Sequence, residues 1–298
     1  MIKPGQKPNV FLAGAPKCGT TSLANWLAGH PQCYVTPKKE PHFFGDFLCN
    51  RASLAKYEQL FEGATDEHKV RVDASTSYFT MPEAIREALS YSPDARFIVM
   101  LRNPVDLVHA LHSENLFHGS ESQDDFEQAW RLQEARVRGY QIPLSCNNPT
   151  MLLYRDQSLL GQALQHLLAQ VDRSKVCWVF MEDLNADPRQ CYLQVLDFLG
   201  LKDDGREQFA AMNTAKRHRL PHLNRVLRIF GIWRKRLGIP GLGIRAALNQ
   251  YSRVDAEREP LDPAFRWELY LSFADDIRLL EQLTGRNLSG WVPPRPDQ

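Results

Sequence analysis

The 298-residue sequence has no run of about 18 apolar residues, the length that a membrane-spanning helix needs. Its opening, "MIKPGQKPNVFLAGAP", holds only a short apolar stretch before a proline and does not read as a secretory signal. The six cysteines, Cys18, Cys33, Cys49, Cys146, Cys177 and Cys191, are scattered without C-x-x-C spacing. That excludes the usual zinc patterns and leaves reduced thiols as the expectation. Charge of one sign is not in excess either: 36 Lys and Arg against 35 Asp and Glu give +1. A global case for nucleic acid is thereby removed. There is no internal repeat and no low-complexity tract. These absences predict a soluble cytoplasmic protein with no stable membrane insertion and no nucleic-acid partner.

Locally the balance is uneven. Residues 216–253 carry ten Lys or Arg and no Asp or Glu, interleaved with "LRIFGIW" and "GIPGLGI". Such a run is either a solvated face or an anion-facing lid. Upstream, short apolar runs alternate with segments of helical periodicity. "NVFLAG", "RVDAS", "RFIVMLR" and "VCWVFMEDL" read as buried strands. Helices are predicted at Pro82–Tyr91, Pro104–Phe117, Phe126–Gly139, Gln157–Gln170 and Pro188–Leu199, with an amphipathic one in "FRWELYLSFADDIRLLEQLTG". The alternation argues for an α/β fold whose parallel sheet is flanked by helices on both faces. The expected organisation is a single domain over 1–298. It comprises an α/β core at 9–201, a basic helical lid or substrate segment at 214–255 and a C-terminal helical part at 262–291.

The stretch "NVFLAGAPKCGTTSL" places two glycines, Gly14 and Gly19, at the spacing of a nucleotide phosphate loop. In the ATP and GTP loop a lysine directly follows the second glycine. Here Thr20 and Thr21 follow, and the lysine is Lys17. A glycine-bearing turn between a strand and a helix directs backbone N–H groups and the helix dipole at an anion. Lys17 adds a full charge, and the hydroxyls of Thr20 and Thr21 can donate to phosphate oxygens. The same turn could also merely join strand to helix.

"GAPKCGTTSLANWLAGHP" followed by "TPKKEPHFF" resembles the sulfotransferases that use 3'-phosphoadenosine-5'-phosphosulfate (PAPS). That family's loop, P-K-x-G-T-T-x-L, is matched from Pro16 to Leu23. The K-E-x-H-F-F element of its carbohydrate-type and bacterial members is matched from Lys39 to Phe44. "DARFIVMLRNPVDLVHALH" looks like its 3'-phosphate segment, and "VFMEDLNADPRQCYLQVLDFLGL" like the stretch that follows. The likeness runs fairly continuously over residues 9–201, and "LLEQLTGRNLSGW" is also like bacterial members. It implies a P-loop-like fold and an enzyme of the EC 2.8.2 class, moving a sulfuryl group from PAPS to an acceptor hydroxyl or amine by in-line transfer. It also implies a nucleotide cradle of Lys17, Cys18, Gly19, Thr20, Thr21 and Ser22. In the family the loop lysine reaches the oxygen bridging phosphate and sulfuryl. Lys17 would then serve a leaving group. A sulfuryl carries less negative charge than a phosphoryl, so lysine and backbone dipoles suffice and no metal is expected.

An acceptor hydroxyl must lose its proton as it attacks sulfur, which calls for a base within hydrogen-bond reach. The resemblance assigns that role to Glu40. Cytosolic aromatic and steroid sulfotransferases use a histidine, which makes His42 the alternative base, or else a residue that orients the acceptor. Glu40 could instead simply pair with Lys38 or Lys39. Phe43 and Phe44 read as core or pocket wall. Arg102 ends the apolar strand "FIVML", where open parallel sheets bind ligands; its planar fork suits bidentate phosphate binding, and the resemblance assigns it to the 3'-phosphate. The family's second 3'-phosphate ligand is a serine eight residues on, and here that position is Ala110. Ser113, one turn beyond, or the basic residues Lys216, Arg217 and Arg219 of "NTAKRHR" could replace it, with His109 behind them. The acceptor is left open among small molecules, glycans and lipids, and so is self-association into a homo-oligomer. Two other functions fit the loop: a P-loop kinase, which the missing lysine after Gly19 argues against, and a nucleotide-binding protein without catalysis, which would have no need of a base.

Overall fold

Val10–Gly14 (β1) is buried at every residue, and so are five of the six residues of Arg96–Leu101 (β4). Side chains alternate along a strand, so burial of every residue means that both faces are covered. With Cys33–Val35 (β2), Val70–Asp73 (β3) and Val176–Phe180 (β5) these strands make a five-stranded sheet in the order β2-β3-β1-β4-β5. Every pairing in it is parallel. This is the α/β, P-loop-like architecture anticipated, with β3, β1 and β4 of the predicted strands at the centre and β5 at one edge. The computed structural model describes residues 6–37, 39–45, 51–210, 216–218, 230, 253–255 and 258–296.

The helices are Thr20–Ala28 (α1), Leu54–Gln59 (α2), Pro82–Tyr91 (α3), Pro104–His118 (α4), Phe126–Arg131 (α5), Gln133–Val137 (α6), Leu160–Leu168 (α7), Met181–Ala186 (α8), Pro188–Leu199 (α9) and a C-terminal helix, Pro263–Thr284. Proline opens α3 and α9, where its missing N–H costs nothing and its φ is already helical. Asp187 caps α9 by accepting from Gln190 N, and Gly200 ends it at φ 70°, the left-handed turn that favours glycine. The helix expected across 126–139 is two. Leu132 N is shared between Gln128 O and Ala129 O, a tightening that ends one helix before the next begins. The strand expected in "VCWVFMEDL" stops at Phe180 and continues as α8. No helix among the described residues is long and apolar enough to cross a membrane.

The chain divides into two compact units, each discontinuous in sequence. The first comprises residues 1–103, 159–213 and 275–288; the second comprises 104–158, 214–274 and 289–298. The expected 9–201 core thus contributes to both. In the first unit Phe11, Leu12, Phe97, Ile98 and Val99 are wholly inaccessible and form the centre of the sheet. Asp276 supplies α7 with the cap its own residues lack, accepting from Gly161 N and Gln162 N at 2.9 Å each. In the second unit Glu121 and Arg136, both buried, pair at 2.7 Å, and Tyr154 donates to the same carboxylate at 2.7 Å. The basic segment differs from the helical expectation where it is described. Lys216–His218 (β6) and Arg253–Asp255 (β7) pair antiparallel, Lys216 opposite Asp255, although Phe230 is helical. Backbone pairing of two three-residue strands, 34 residues apart, leaves no periodic signal to read.

Candidate active site

Three loops at the carboxyl ends of strands of this sheet bear the candidate residues of the first unit. Lys17, Cys18 and Gly19 follow β1, Glu40 and His42 follow β2, and Arg102 follows β4. β1 lies between β3 and β4 in the sheet. The chain passes from β1 through α1 to β2 on one side of it and returns from β3 through α3 to β4 on the other, which makes the carboxyl end of β1 a switch point where open sheets form ligand crevices.

In the β1 loop, Gly19 is the α1 cap at φ 85°, a conformation costly for residues with a Cβ. It makes no side-chain cap bond, and the first turn of α1 carries no acidic residue. The positive end of the helix is therefore not neutralised by its own side chains. Thr20 and Ser22 are buried and Thr21 is half-buried. Lys17 is half-buried at φ 60°. Arg102 Nη1 donates to Lys17 O at 3.0 Å, so the arginine expected on a phosphate also braces the loop. Cys18 is wholly buried. Burial pushes its thiol up to about 12, against the opposing charges of Arg102 and Lys17. What it can offer an anion is its backbone.

Glu40 is the centre of the second cluster. Its Oε1 accepts from Lys39 Nζ at 2.9 Å and from Thr76 Oγ1 at 3.2 Å, and its Oε2 meets His42 Nε2 at 3.1 Å. Burial alone would raise its pKa, but the His42 hydrogen bond and the Lys39 charge together hold it at about 2. Glu40 is thus a carboxylate, and Nε2 must be the donor to it. Nδ1 of His42 lies 2.7 Å from Ser77 Oγ, which fixes the ring from behind. Pairing with Lys39 and a role for Glu40 are not exclusive here; Lys38 lies outside the described residues. Phe43 and Phe44 are core, 6% and 2% exposed, with Phe43 stacked on Tyr57 at 4.3 Å between ring centroids.

The two clusters meet at Thr76. A Cβ at Gly14 would lie 2.6 Å from Thr76 O and 2.7 Å from Phe79 Cβ, so glycine is what lets the phosphate loop pack against the segment that holds Glu40. Lys17, Glu40 and His42, at φ 60°, 62° and 47°, are three of the four described non-glycine residues in the left-handed region. Such conformations cost on the order of 1–3 kcal/mol each and collect at functional sites. Thr76, Ser77 and Ser75 were not singled out from sequence. The available signal was a run of hydroxyls, "STS", directly after a buried strand.

The remaining candidates belong to the second unit. Ser113 lies in α4 and donates back to His109 O at 2.9 Å; His109 stacks on Phe126. Ala110 is wholly buried. Lys216 and Arg217 lie in β6, which packs beside α4. Arg219 lies outside the described residues.

Comparison with known proteins agrees with this arrangement. Human heparan sulfate glucosamine 3-O-sulfotransferase 6 is 30% identical over 201 residues, 67% of this chain and 54% of its own. Human carbohydrate sulfotransferase 15 is 26% identical over 259 residues, 69% of this chain and 46% of its own. The chain spans about half the length of these curated relatives. A crystal structure of a sulfotransferase from Alicyclobacillus acidocaldarius superposes with a TM-score of 0.71 at 25% identity, covering 96% of this chain and 98% of that one. The sulfotransferase-domain model matches residues 7–219, a span that holds the phosphate loop, Glu40 and Arg102, and on these grounds the chain belongs to the sulfotransferase family.

Proposed function

We propose that the protein transfers a sulfuryl group from PAPS to a hydroxyl of a glycan, with Glu40 as base. The observation that carries this reading is the junction at Thr76. One residue touches the phosphate loop at Gly14 and donates to the Glu40 carboxylate, which brings a base beside an anion cradle. In the reaction the acceptor oxygen bonds to sulfur as the bond from sulfur to the bridging phosphate oxygen breaks. The acceptor proton passes to Glu40, and adenosine 3',5'-bisphosphate (PAP) leaves. Lys17 and the α1 N-terminus offset the charge that grows on the leaving oxygen. Arg102 serves the 3'-phosphate. Ser113, Lys216 and Arg217 are proposed as further anion-binding residues. The glycan class is taken from the relatives, whose names specify heparan sulfate glucosamine and carbohydrate. A cytoplasmic setting is part of the proposal and rests on the free cysteines among the described residues, four of which are buried and one half-buried.

Thermal melting tests the nucleotide. PAP should raise Tm more than 5'-AMP does, with or without a chelator, because the 3'-phosphate gains charge-assisted hydrogen bonds worth about 1.5–3 kcal/mol each. Equal shifts, or a strict requirement for Mg²⁺, would exclude PAPS as donor. Turnover tests the base: incubation with labelled PAPS and heparan-type oligosaccharides should give products heavier by one SO₃. Glu40→Gln should retain PAP binding and lose about 10²–10⁴ in kcat, and His42→Asn should lose less. The reverse order would move the base to His42.

A further inference from the structure

Beneath the Glu40 loop lies a buried carboxylate that the proposed reaction does not use. Asp73, the last residue of β3, is wholly inaccessible. Three hydroxyls surround it: Ser75 Oγ donates to Oδ1 at 2.6 Å, and Tyr57 OH and Tyr78 OH donate to Oδ2 at 2.8 and 3.1 Å. Two of these hydroxyls have a second task. Ser75 Oγ accepts from His42 N at 3.0 Å, and Tyr78 OH accepts from Phe43 N at 2.9 Å and Phe44 N at 3.2 Å. Three consecutive backbone amides are thus satisfied by two hydroxyl oxygens whose hydrogens are both turned the other way, toward Asp73.

The direction of each bond is what makes the carboxylate necessary. A hydroxyl rotor can point its hydrogen at any acceptor, and it presents its lone pairs to an amide only if the hydrogen is engaged elsewhere. Asp73 has acceptor capacity on both oxygens and no donor while ionised, so it fixes both rotors at once. Buried amides without an acceptor are costly, and here they belong to the residues that carry His42 in its left-handed conformation (φ 47°). His42 in turn holds Glu40 Oε2.

We propose that Asp73 is a positioning residue. Through Ser75 and Tyr78 it locks the backbone at 42–44, and that lock sets the His42–Glu40 hydrogen bond. This inference rests on the reading of Glu40 as the working carboxylate, but it concerns the placement of Glu40 and can be tested without turnover.

The test follows the Glu40 carboxyl by NMR in the full chain labelled with ¹³C-glutamate, its resonance identified by loss in Glu40→Gln. In the native protein it stays ionised at pH 4. Tyr78→Phe keeps the ring and removes the acceptor for Phe43 and Phe44, and Ser75→Ala does the same for His42. Each should raise the Glu40 midpoint by about one unit as the His42 bond loosens, and Asp73→Asn should do so in the molecules that fold. A merely structural role would lower Tm and leave the Glu40 titration where it was; that result in both Tyr78→Phe and Ser75→Ala overturns the proposal, even if Asp73→Asn does not fold. Displaced titration with full turnover in Glu40→Gln would uphold the positioning and remove Glu40 as the base.

Discussion

Glu40 is bound on one oxygen by Lys39 and Thr76 and on the other by His42, an arrangement that stabilises its ionised form and weakens it as a proton acceptor. The lysine therefore matters to the chemistry. Removing it takes away one of the charges that hold the carboxyl at about 2. A neighbouring cation favours the carboxylate, so Lys39→Ala raises the Glu40 pKa. The acid limb of kcat/KM, which reports the free enzyme, should then move to higher pH; an unmoved limb would mean that the limb belongs to another group. In the proposed reaction Lys17 serves the other end of the transfer. The charge that it offsets grows as the bridging oxygen departs, so its effect belongs mainly to the transition state. Lys17→Ala should lower kcat by on the order of 10²–10³, with PAP affinity reduced far less. Normal turnover at saturation together with weakened PAP binding would assign Lys17 to ground-state binding alone.

At the scale of elements, the end of β1 and the segment after β3 are in mutual contact through a missing side chain. Gly14→Ala would drive a methyl group into Thr76 O and Phe79 Cβ. Overpacking of this kind costs about 1–3 kcal/mol, and the displaced segment is the one that holds Glu40. The variant should therefore lose activity beyond its loss in Tm, measured at a temperature where it is fully folded. The second unit has its own critical element contact, the Glu121–Arg136 pair that ties the start of the 121–125 turn to α6. Glu121 also accepts from Ser122 N and Gln123 N at 2.7 and 2.9 Å. Despite its burial, which acts to raise its pKa, these donors and Arg136 keep the carboxyl below its ordinary range. Arg136→Met leaves that charge buried without its cation, which typically costs about 3–5 kcal/mol. Urea denaturation should show a loss of that order, whereas exposed Arg138→Met should change stability by less than about 1 kcal/mol.

For the whole molecule the near-zero net charge hides a division. Of the 36 basic residues ten lie in 216–253, which leaves 26 against 35 acidic residues elsewhere; the segment is +10 and the rest −9. An uneven distribution of charge along the chain can attract anions, an effect screened over about 10 Å at 0.1 M salt. On the proposed glycan reading, a heparan-type oligosaccharide should bind more weakly as salt rises. Replacing Arg234, Lys235 and Arg236 together with alanine should weaken binding about tenfold, from three contacts of roughly 0.5 kcal/mol each. Surface plasmon resonance over a salt series would show this; an affinity indifferent to salt and to the triple substitution would point to an uncharged acceptor.

The sequence by itself determined the elements whose physics is local. Buried stretches such as "FIVML" are apolar throughout because both their faces are covered. Helices α3 and α9 start at prolines, and the turn into α1 needs a glycine at φ 85°. The order of strands and helices then implies the parallel sheet, and the displaced Lys17 marks the phosphate loop. The three residues of β2 and the six of α2 are too short for periodicity to register. Other features depended on the tertiary structure because they join parts of the chain that no pattern links. Thr76 meets Glu40 across 36 positions, and Ser77 reaches His42 across 35. The hydroxyls of Tyr57 and Tyr78 converge on Asp73 only because β3 and the aromatic core place them there. Lys39 and His42 adjoin Glu40 in sequence, but only the folded loop brings both onto its two oxygens and so decides how basic that carboxylate is.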